Sequence, residues 1–286
     1  MIGLQKRKKI YDFLFKLCLY LFSGIVALFL IVVILFLIIK GSKVINLEFL
    51  ISSPKDSMTK GGIFPCIIGT VILAVGSTLI ALPIGIITAV YMSEYAKPGK
   101  ILNVIRFGVN TLAGVPSVVF GLFGLALFVI ILHFGVSILS GCLTLAALIL
   151  PIIIASTEEA LRAVPDTYRE ASLALGATKF QTTFRVVLPA AFPGILTGTI
   201  LSLARAAGET APIMFTAAVF FKPSLPTSIF DSIMALPYHI YVLASAGIDV
   251  EKTRPIQYGT ALVLIVLVLG LNLIAIILRA KLQRRR

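Results

Sequence analysis

Long apolar stretches separated by short charged segments set the rhythm of this chain. Stretches free of Asp, Glu, Lys and Arg run from Leu17 to Ile39, Phe64 to Tyr91, Phe107 to Leu132, Phe134 to Ser156 and Pro255 to Leu278. Each exceeds the roughly 20 residues with which a helix crosses about 30 Å of hydrocarbon. A further apolar run, Leu188 to Phe221, is equally long but contains Arg205 and Glu209, and we read it as a span that carries charge. The pattern predicts an all-α polytopic membrane protein with six transmembrane helices. His133 and Gly135 mark a tight turn between the third and fourth spans. The fifth loop, Lys222 to Arg254, has helical apolar spacing from Ser228 to Ala246, yet Asp231, Pro237 and His239 argue against a seventh span. It is expected to form a helix at the outer face.

Composition agrees with the pattern: 59% of residues are hydrophobic, 13% are charged and the mean hydropathy is +1.07, values foreign to a soluble domain. The basic leader Lys6, Arg7, Lys8 and Lys9 precedes a first apolar run too long for a cleaved secretory signal, so that run is expected to stay as a span. The chain divides into residues 1–62, comprising leader, first span and outer loop, and 63–286, a core of five spans that includes the loop 157–189. Lys and Arg number five in the leader, three in the second loop, four in the fourth loop and five in the C-terminal tail, against seven on the other side. Positive charge accumulates on the cytoplasmic side, which places both termini and the fourth loop there. The net charge of +13 then reads as contact with anionic lipid headgroups, for example through Arg284, Arg285 and Arg286, and calls for no nucleic acid.

Little in the chain points to chemistry of its own. Cys18, Cys66 and Cys142 lie in separate apolar runs without metal-ligand spacing and read as small buried hydrophobes. His133 and His239 sit in no metal pattern, and no glycine-rich loop ending in Lys-Ser or Lys-Thr is present to cradle nucleotide phosphates. No nucleophile stands beside a base. The chain is expected not to be an enzyme and to bind no cofactor; transport driven by ATP needs another polypeptide to hydrolyse it.

The fourth loop, EASLALGATKFQTTFRVVLP at residues 170–189, is more shaped than a plain connector. Pro165 breaks the preceding helix, and Asp166 or Thr167 can cap a new one. Ala171, Leu175 and Thr178 repeat on one face, and Gly176 supplies a left-handed turn. A second short helix through Phe180, Phe184 and Val187 is expected to end at Leu188 and Pro189. The result is a helix, a bend and a helix, with apolar residues on show. Such a segment either rests on the membrane interface or fits a groove on a soluble partner.

The spacing of Glu170, Ala171, Gly176, Val186, Leu188 and Pro189 resembles the EAA motif of binding-protein-dependent ABC importers, E-A-A-x3-G-x9-I-x-L-P, with Ser172 and Val186 as small departures. This resemblance implies the type I ABC importer permease fold. It also implies that Glu170, Ala171, Leu175, Gly176, Leu188 and Pro189 belong to the element that docks on an ATP-binding subunit. ALPIGIITAVYMSEYA from Ala81, LAGVPSVVFGLFG from Leu112 and ARAAGETAPIMFTA around the fifth span are similar to the PstA-type, phosphate-specific branch of that family. The implied assembly is a PstC-like second permease, two PstB-like ATPase subunits that hold ATP with magnesium, and an external phosphate-binding protein, in a bacterial inner membrane.

The charged pair of the fifth span fits this picture on physical grounds. With a helix from Pro193 to Phe221, Arg205 and Glu209 bracket its midpoint, where a charge must face protein or water. Four residues apart, they can neutralise each other. Alternatively, the Arg205 fork holds two oxygens of a tetrahedral anion while Glu209 keeps the anion from binding too tightly to leave. Pro212 removes the hydrogen bond to the Gly208 carbonyl and opens the helix beside the pair. Thr210, Ser202 and, in the third span, Ser117 after Pro116 are candidate pathway hydroxyls. Gly121 and Gly124 are expected to serve helix packing. A permease for sulfate or molybdate would share the coupling loop, whereas an ion-gradient-driven carrier would not need it.

Overall fold

The computed structural model describes residues 2–58, 60–245 and 250–284. In chain order it contains α1 (Ile2–Gly41), α2 (Leu47–Ile51), the hairpin strands β1 (Pro54–Lys55) and β2 (Lys60–Gly61), and α3 (Phe64–Val90), which ends in a π-helical turn at Tyr91–Tyr95. Then come α4 (Lys100–Ala113), α5 (Ser117–Gly124) with a π-helical continuation to Ile131, and α6 (Ile138–Arg162). The second half holds α7 (Asp166–Ala174), α8 (Lys179–Thr182), α9 (Leu188–Gly208), α10 (Ala211–Thr216), α11 (Leu236–Ser245) and α12 (Val250–Arg284). Among the described residues, Phe15–Gly41, Phe64–Tyr95, Ile138–Arg162, Lys179–Gly208 and Thr253–Lys281 are long and apolar enough to cross a membrane. Helices α4 and α5 supply a sixth span only as a pair bent by 99°. Arg285 and Arg286 of the basic tail lie outside the described residues.

The centre of the bundle is α6, whose Leu145, Leu148, Ile149, Ile153 and Leu161 are all buried. Glycines let its neighbours approach. A side chain at Gly76 would meet Cys142, and one at Gly85 would meet Ile153, so α3 runs parallel to α6. Gly194 lies on Ala160 and Gly198 on Ser156, so α9 runs antiparallel. Lipid offers no hydrophobic drive for helices to associate, and this close backbone approach is what holds them. Gly121 and Gly124 act as expected: Gly121 rests on Ala211 and Pro212, and Gly124 on Thr144. Pro83 leaves α3 continuous.

Gly41 of α1 sits against the backbone of Tyr258 and Gly259 in α12, which places the end of α1 and the start of α12 on one side. Asn272 and Arg279 of α12 line a groove of about 630 Å³ with Ser156, Glu159, Gly194 and Thr197. The late part of α12 therefore lies beside the end of α6 and the start of α9, on the same side as the segment 166–187.

Three expectations need correction. The fifth span is not one helix from Pro193 to Phe221: α9 stops at Gly208, Glu209 takes extended geometry (φ −75°, ψ 137°), and α10 restarts at Ala211 with Pro212 in its first turn. Proline is welcome there because its missing N–H is one that a helix start leaves unpaired anyway. Of the stretch expected to be helical, Ser228 to Ala246, the described residues are helical over Leu236–Ser245, and this helix is not perched on the surface; Leu236, Pro237, His239, Val242 and Leu243 are buried in the end of the bundle. Its approach is pinned by Met234, whose carbonyl lies over Gly69, and by the Leu236 N–H, which donates to Thr70 Oγ1 at 2.8 Å. The fourth span starts later and runs further than Phe134–Ser156. Its first N–H groups at Ile138 and Leu139, with Ser137, donate to the Asp231, Ile229 and Thr216 carbonyls, so the returning segment 216–231 caps it.

The α6–α9 crossing is a sensitive point. Replacing Gly198 by Leu drives a side chain into Ser156 and is expected to destabilise the folded bundle by roughly 1–3 kcal/mol, the usual penalty for overpacking. Thermal unfolding of the purified protein in detergent measures the loss, and adding Ser156→Gly is expected to recover part of it.

Candidate functional site

The segment between α6 and α9 is bent as its sequence demands. Pro165, with φ −58° and ψ 140°, occupies the N-cap position of α7; neither Asp166 nor Thr167 caps it as expected, and the Asp166 carboxylate instead accepts from Arg169. Gly176 has φ +83°, the left-handed geometry glycine supplies without strain, and it is surrounded by open space. Thr178 then starts α8 with a reciprocal cap: its hydroxyl accepts from the Gln181 N–H, and the Gln181 side chain accepts from the Thr178 N–H. Ser172, the departure from the motif's second alanine, bonds Thr182 hydroxyl to hydroxyl at 2.9 Å and ties the two arms together.

The second arm does not end at Leu188 and Pro189. From Thr183 to Val187 it passes through a π-helical turn and continues into α9. Val187, Ala191 and Ile195 are buried against α3 and α6 residues, with Leu188 packed on them, so Val187 and Leu188 root the bent element in the bundle; Pro189, half-buried, follows in the first turn of α9. Glu170, Ala171, Leu175 and Gly176 are exposed. Leu175 is 90% exposed, and Tyr168, Leu173, Phe180 and Phe184 are also open, with the two phenylalanine rings 4.5 Å apart.

Residues that the sequence reading did not single out hold this element in place. The Arg169 Nε and Nη2 atoms donate to the two Glu94 oxygens at 3.2 and 2.7 Å. The same guanidinium donates to the carbonyls of Leu161 and Val164 at the end of α6, at 2.9 and 2.8 Å. The Glu94 hydrogen bond, opposed by the cost of partial burial, holds the Arg169 guanidinium above its ordinary pKa. A second cluster adjoins it: Glu158, on α6, accepts from Arg106 Nε at 2.8 Å and from Arg162 Nη2 at 2.7 Å. The available signal was Glu94 and Glu158 themselves, carboxylates near the ends of apolar helices on the side richest in Lys and Arg.

The pair Arg205 and Glu209 lies at the end of α9. Extending the register set by Gly194 and Gly198 seven residues further brings Arg205 level with Ile149, near the middle of α6. The depth is the expected one, although the helix is broken there. Arg205 Nε is 3.5 Å from Glu209 Oε1, a loose ion pair, and the side chains are 39% and 17% exposed. No other carboxylate pairs with Arg205 among the described residues. Arg205 stands in the last turn of α9, where a cation favourably meets the partial negative charge of the helix end.

Thr210, half-buried, occupies the N-cap position of α10. Ser117 is half-buried one turn before Gly121, which touches the start of α10, so the third-span break and the fifth-span break come together. Ser202 does not join them: it is fully buried, and its hydroxyl donates to the Gly198 carbonyl at 2.9 Å.

A bundle with broken helices and an exposed, bent element between its central helices is the architecture that comparison with known proteins places among transport subunits. Residues 81–286 match the family of binding-protein-dependent transport system inner membrane components, and the chain belongs to that family. It is 42% identical over 232 residues to the phosphate transport system permease protein PstA of Mycobacterium leprae, covering 79% of this chain and 73% of the relative. It is 33% identical over 273 residues to the probable ABC transporter permease protein YqgI of Bacillus subtilis, covering 92% and 91%. Among solved structures, an inward-facing MetNI methionine ABC transporter matches with a TM-score of 0.63 at 19% identity, covering 76% of this chain and 94% of that one. This last likeness establishes the type I importer permease fold.

The bend at Gly176 offers a direct check. Because its surroundings are open, Gly176→Val meets no steric neighbour, and the left-handed backbone alone costs roughly 1–2 kcal/mol. Hydrogen exchange is expected to speed up across residues 166–187, with the unfolding temperature of the bundle unchanged.

Proposed function

We propose that this chain is one permease subunit of an ATP-driven importer of inorganic phosphate, forming half of the translocation pathway. The observation that carries the reading is the loose Arg205–Glu209 pair at the helix break level with the middle of α6, in a chain several of whose relatives are named phosphate transport permeases. A dianionic tetrahedral oxyanion suits a guanidinium fork, which presents paired donors at fixed spacing. Glu209 and the carbonyl end of α9 both repel such an anion, and a conduit benefits from that balance: Arg205 admits the anion and its neighbours limit the dwell time. Thr210 and Ser117 supply neutral hydroxyls beside the same opening.

On this reading the partners are a PstC-like permease, two PstB-like ATPase subunits that carry ATP and magnesium, and an external phosphate-binding protein. Both termini and the 166–187 element face the cytoplasm. Residues 1–62 form a peripheral unit on the permease core 63–286. Glu170, Ala171, Leu175 and Gly176 meet the ATPase, whose closure moves the element as a lever rooted at Val187 and Leu188. A sulfate or molybdate permease would need the same lever, and the names of the relatives do not favour it.

In vesicles containing the assembled complex, Arg205→Gln is expected to cut ATP-dependent phosphate uptake by about tenfold to a hundredfold, the scale of losing a hydrogen bond to a charged group, with the amount of assembled complex retained. Normal uptake by this variant would remove Arg205 from the pathway. Separately, Leu175→Cys is expected to crosslink to the ATPase subunit, and failure to do so in a transporting complex would remove the lever.

A further inference from the structure

The function proposed above requires a place where movement of the bent element enters the transmembrane bundle, and the side-chain network indicates one. The end of α3 is not α-helical. Tyr91–Tyr95 forms a π-helical turn closed by the Ala96 N–H donating to the Tyr91 carbonyl at 2.8 Å. Such turns are less regular than the helix they interrupt and recur at functional sites. Three cations from three other elements converge on these five residues. Arg169, from α7, grips Glu94 with both arms of its fork. Arg106, from α4, donates to the Met92 carbonyl at 3.4 Å while bound to Glu158 of α6. Lys179, at the start of α8, stands 5.1 Å over the Tyr95 ring. Both arms of the bent element thus touch one turn of α3, and α4 and α6 are tied to the same place.

We propose that the π-helical end of α3 is the joint through which the bent element drives the bundle, with Arg169 as the positioning residue that locks the element to it. The reasons are geometric. Arg169 bridges three elements at once, because its planar guanidinium serves Glu94 and the Leu161 and Val164 carbonyls together. Lysine, a single ammonium, cannot reproduce that span. The Glu94 side chain is only 8% exposed and that of Arg169 19%, so the pair is shielded from screening and holds its geometry better than a solvated bridge. A rigid lever needs such a fixed contact at its short end, whereas its far end, at Leu175, is bare.

The test measures phosphate taken up per ATP hydrolysed in vesicles containing the whole complex, for Glu94→Gln, Arg169→Gln, the double variant and Arg169→Lys. Each single variant is expected to lower that ratio about tenfold, and the double variant no further, because the two residues act as one unit. Arg169→Lys is expected to fall with them despite keeping its charge. A wild-type ratio in the single variants would overturn the proposal, as would losses that multiply in the double variant. Absence of assembled complex in all four, the lysine variant included, would make the pair a folding contact and overturn it too. Failure of the unsubstituted complex to accumulate phosphate would count instead against the function proposed above.

Discussion

A backbone N–H or C=O placed in hydrocarbon must find a partner inside the protein, because no water is there to replace it. That constraint shapes this molecule most where its helices stop. α9 ends at Gly208, and the α4–α5 pair turns by 99° at Gly114, Val115 and Pro116, so two sets of helix ends would meet lipid if left alone. The fold sets them against each other: Gly121 of α5 lies on Ala211 and Pro212 of α10. At the end of the bundle away from the segment 166–187, the segment 216–235 folds back and feeds its carbonyls to the first N–H groups of α6. Irregular backbone at membrane depth is tolerated where protein or a water-filled path surrounds it. On the proposed reading, Arg205, Glu209, Thr210 and Ser117 are the polar groups that these breaks present to the pathway.

The two ion pairs that matter differ in tightness, and the difference tracks what each is asked to do. Arg169 is held by Glu94 at 2.7 Å and by two carbonyls, with every contact internal to the chain. Arg205 has one carboxylate at 3.5 Å and greater exposure. A guanidinium saturated by protein acceptors has little left to offer a ligand, and one that is weakly held keeps its donors available. A structural joint gains from saturation, while a transient binding site loses by it.

Much of this was legible in the residues. The number of spans follows from run length and charge spacing, and the bend at Gly176 follows from a glycine set between two helical patterns. The shared side of the termini and the coupling loop emerges from the charge counts and agrees with the packing of Gly41 on α12. The depth expected for Arg205 assumed a helix continuous to Phe221, whereas α9 stops at Gly208 and a new helix starts at Ala211, with Pro212 in its first turn. Propensity alone cannot tell a kink from a restart, because either removes one hydrogen bond; the outcome rests on whether α5 is present to cover the gap. The burial of α11 was hidden for a similar reason. His239 and Pro237 look unsuited to a membrane core, yet Thr70 and Gly69 of α3 accommodate the backbone there.

The Glu94–Arg169 contact was the least legible feature, since its partners lie 75 positions apart and each looks like an ordinary flanking charge. Physical reasoning nonetheless narrows where such a contact must lie. The bent element is joined to the bundle at both ends, through Pro165 to α6 and through Val187 and Leu188 to α9. The second of these roots is buried among apolar side chains that resist compression but exert no directional pull. A directional contact adds what the roots lack, and on the side crowded with arginine and lysine the scarce partner for it is a shielded carboxylate. Glu94 meets that requirement at the end of the helix that packs along α6, so on the proposed reading a displacement of α7 passes to α3 through this contact.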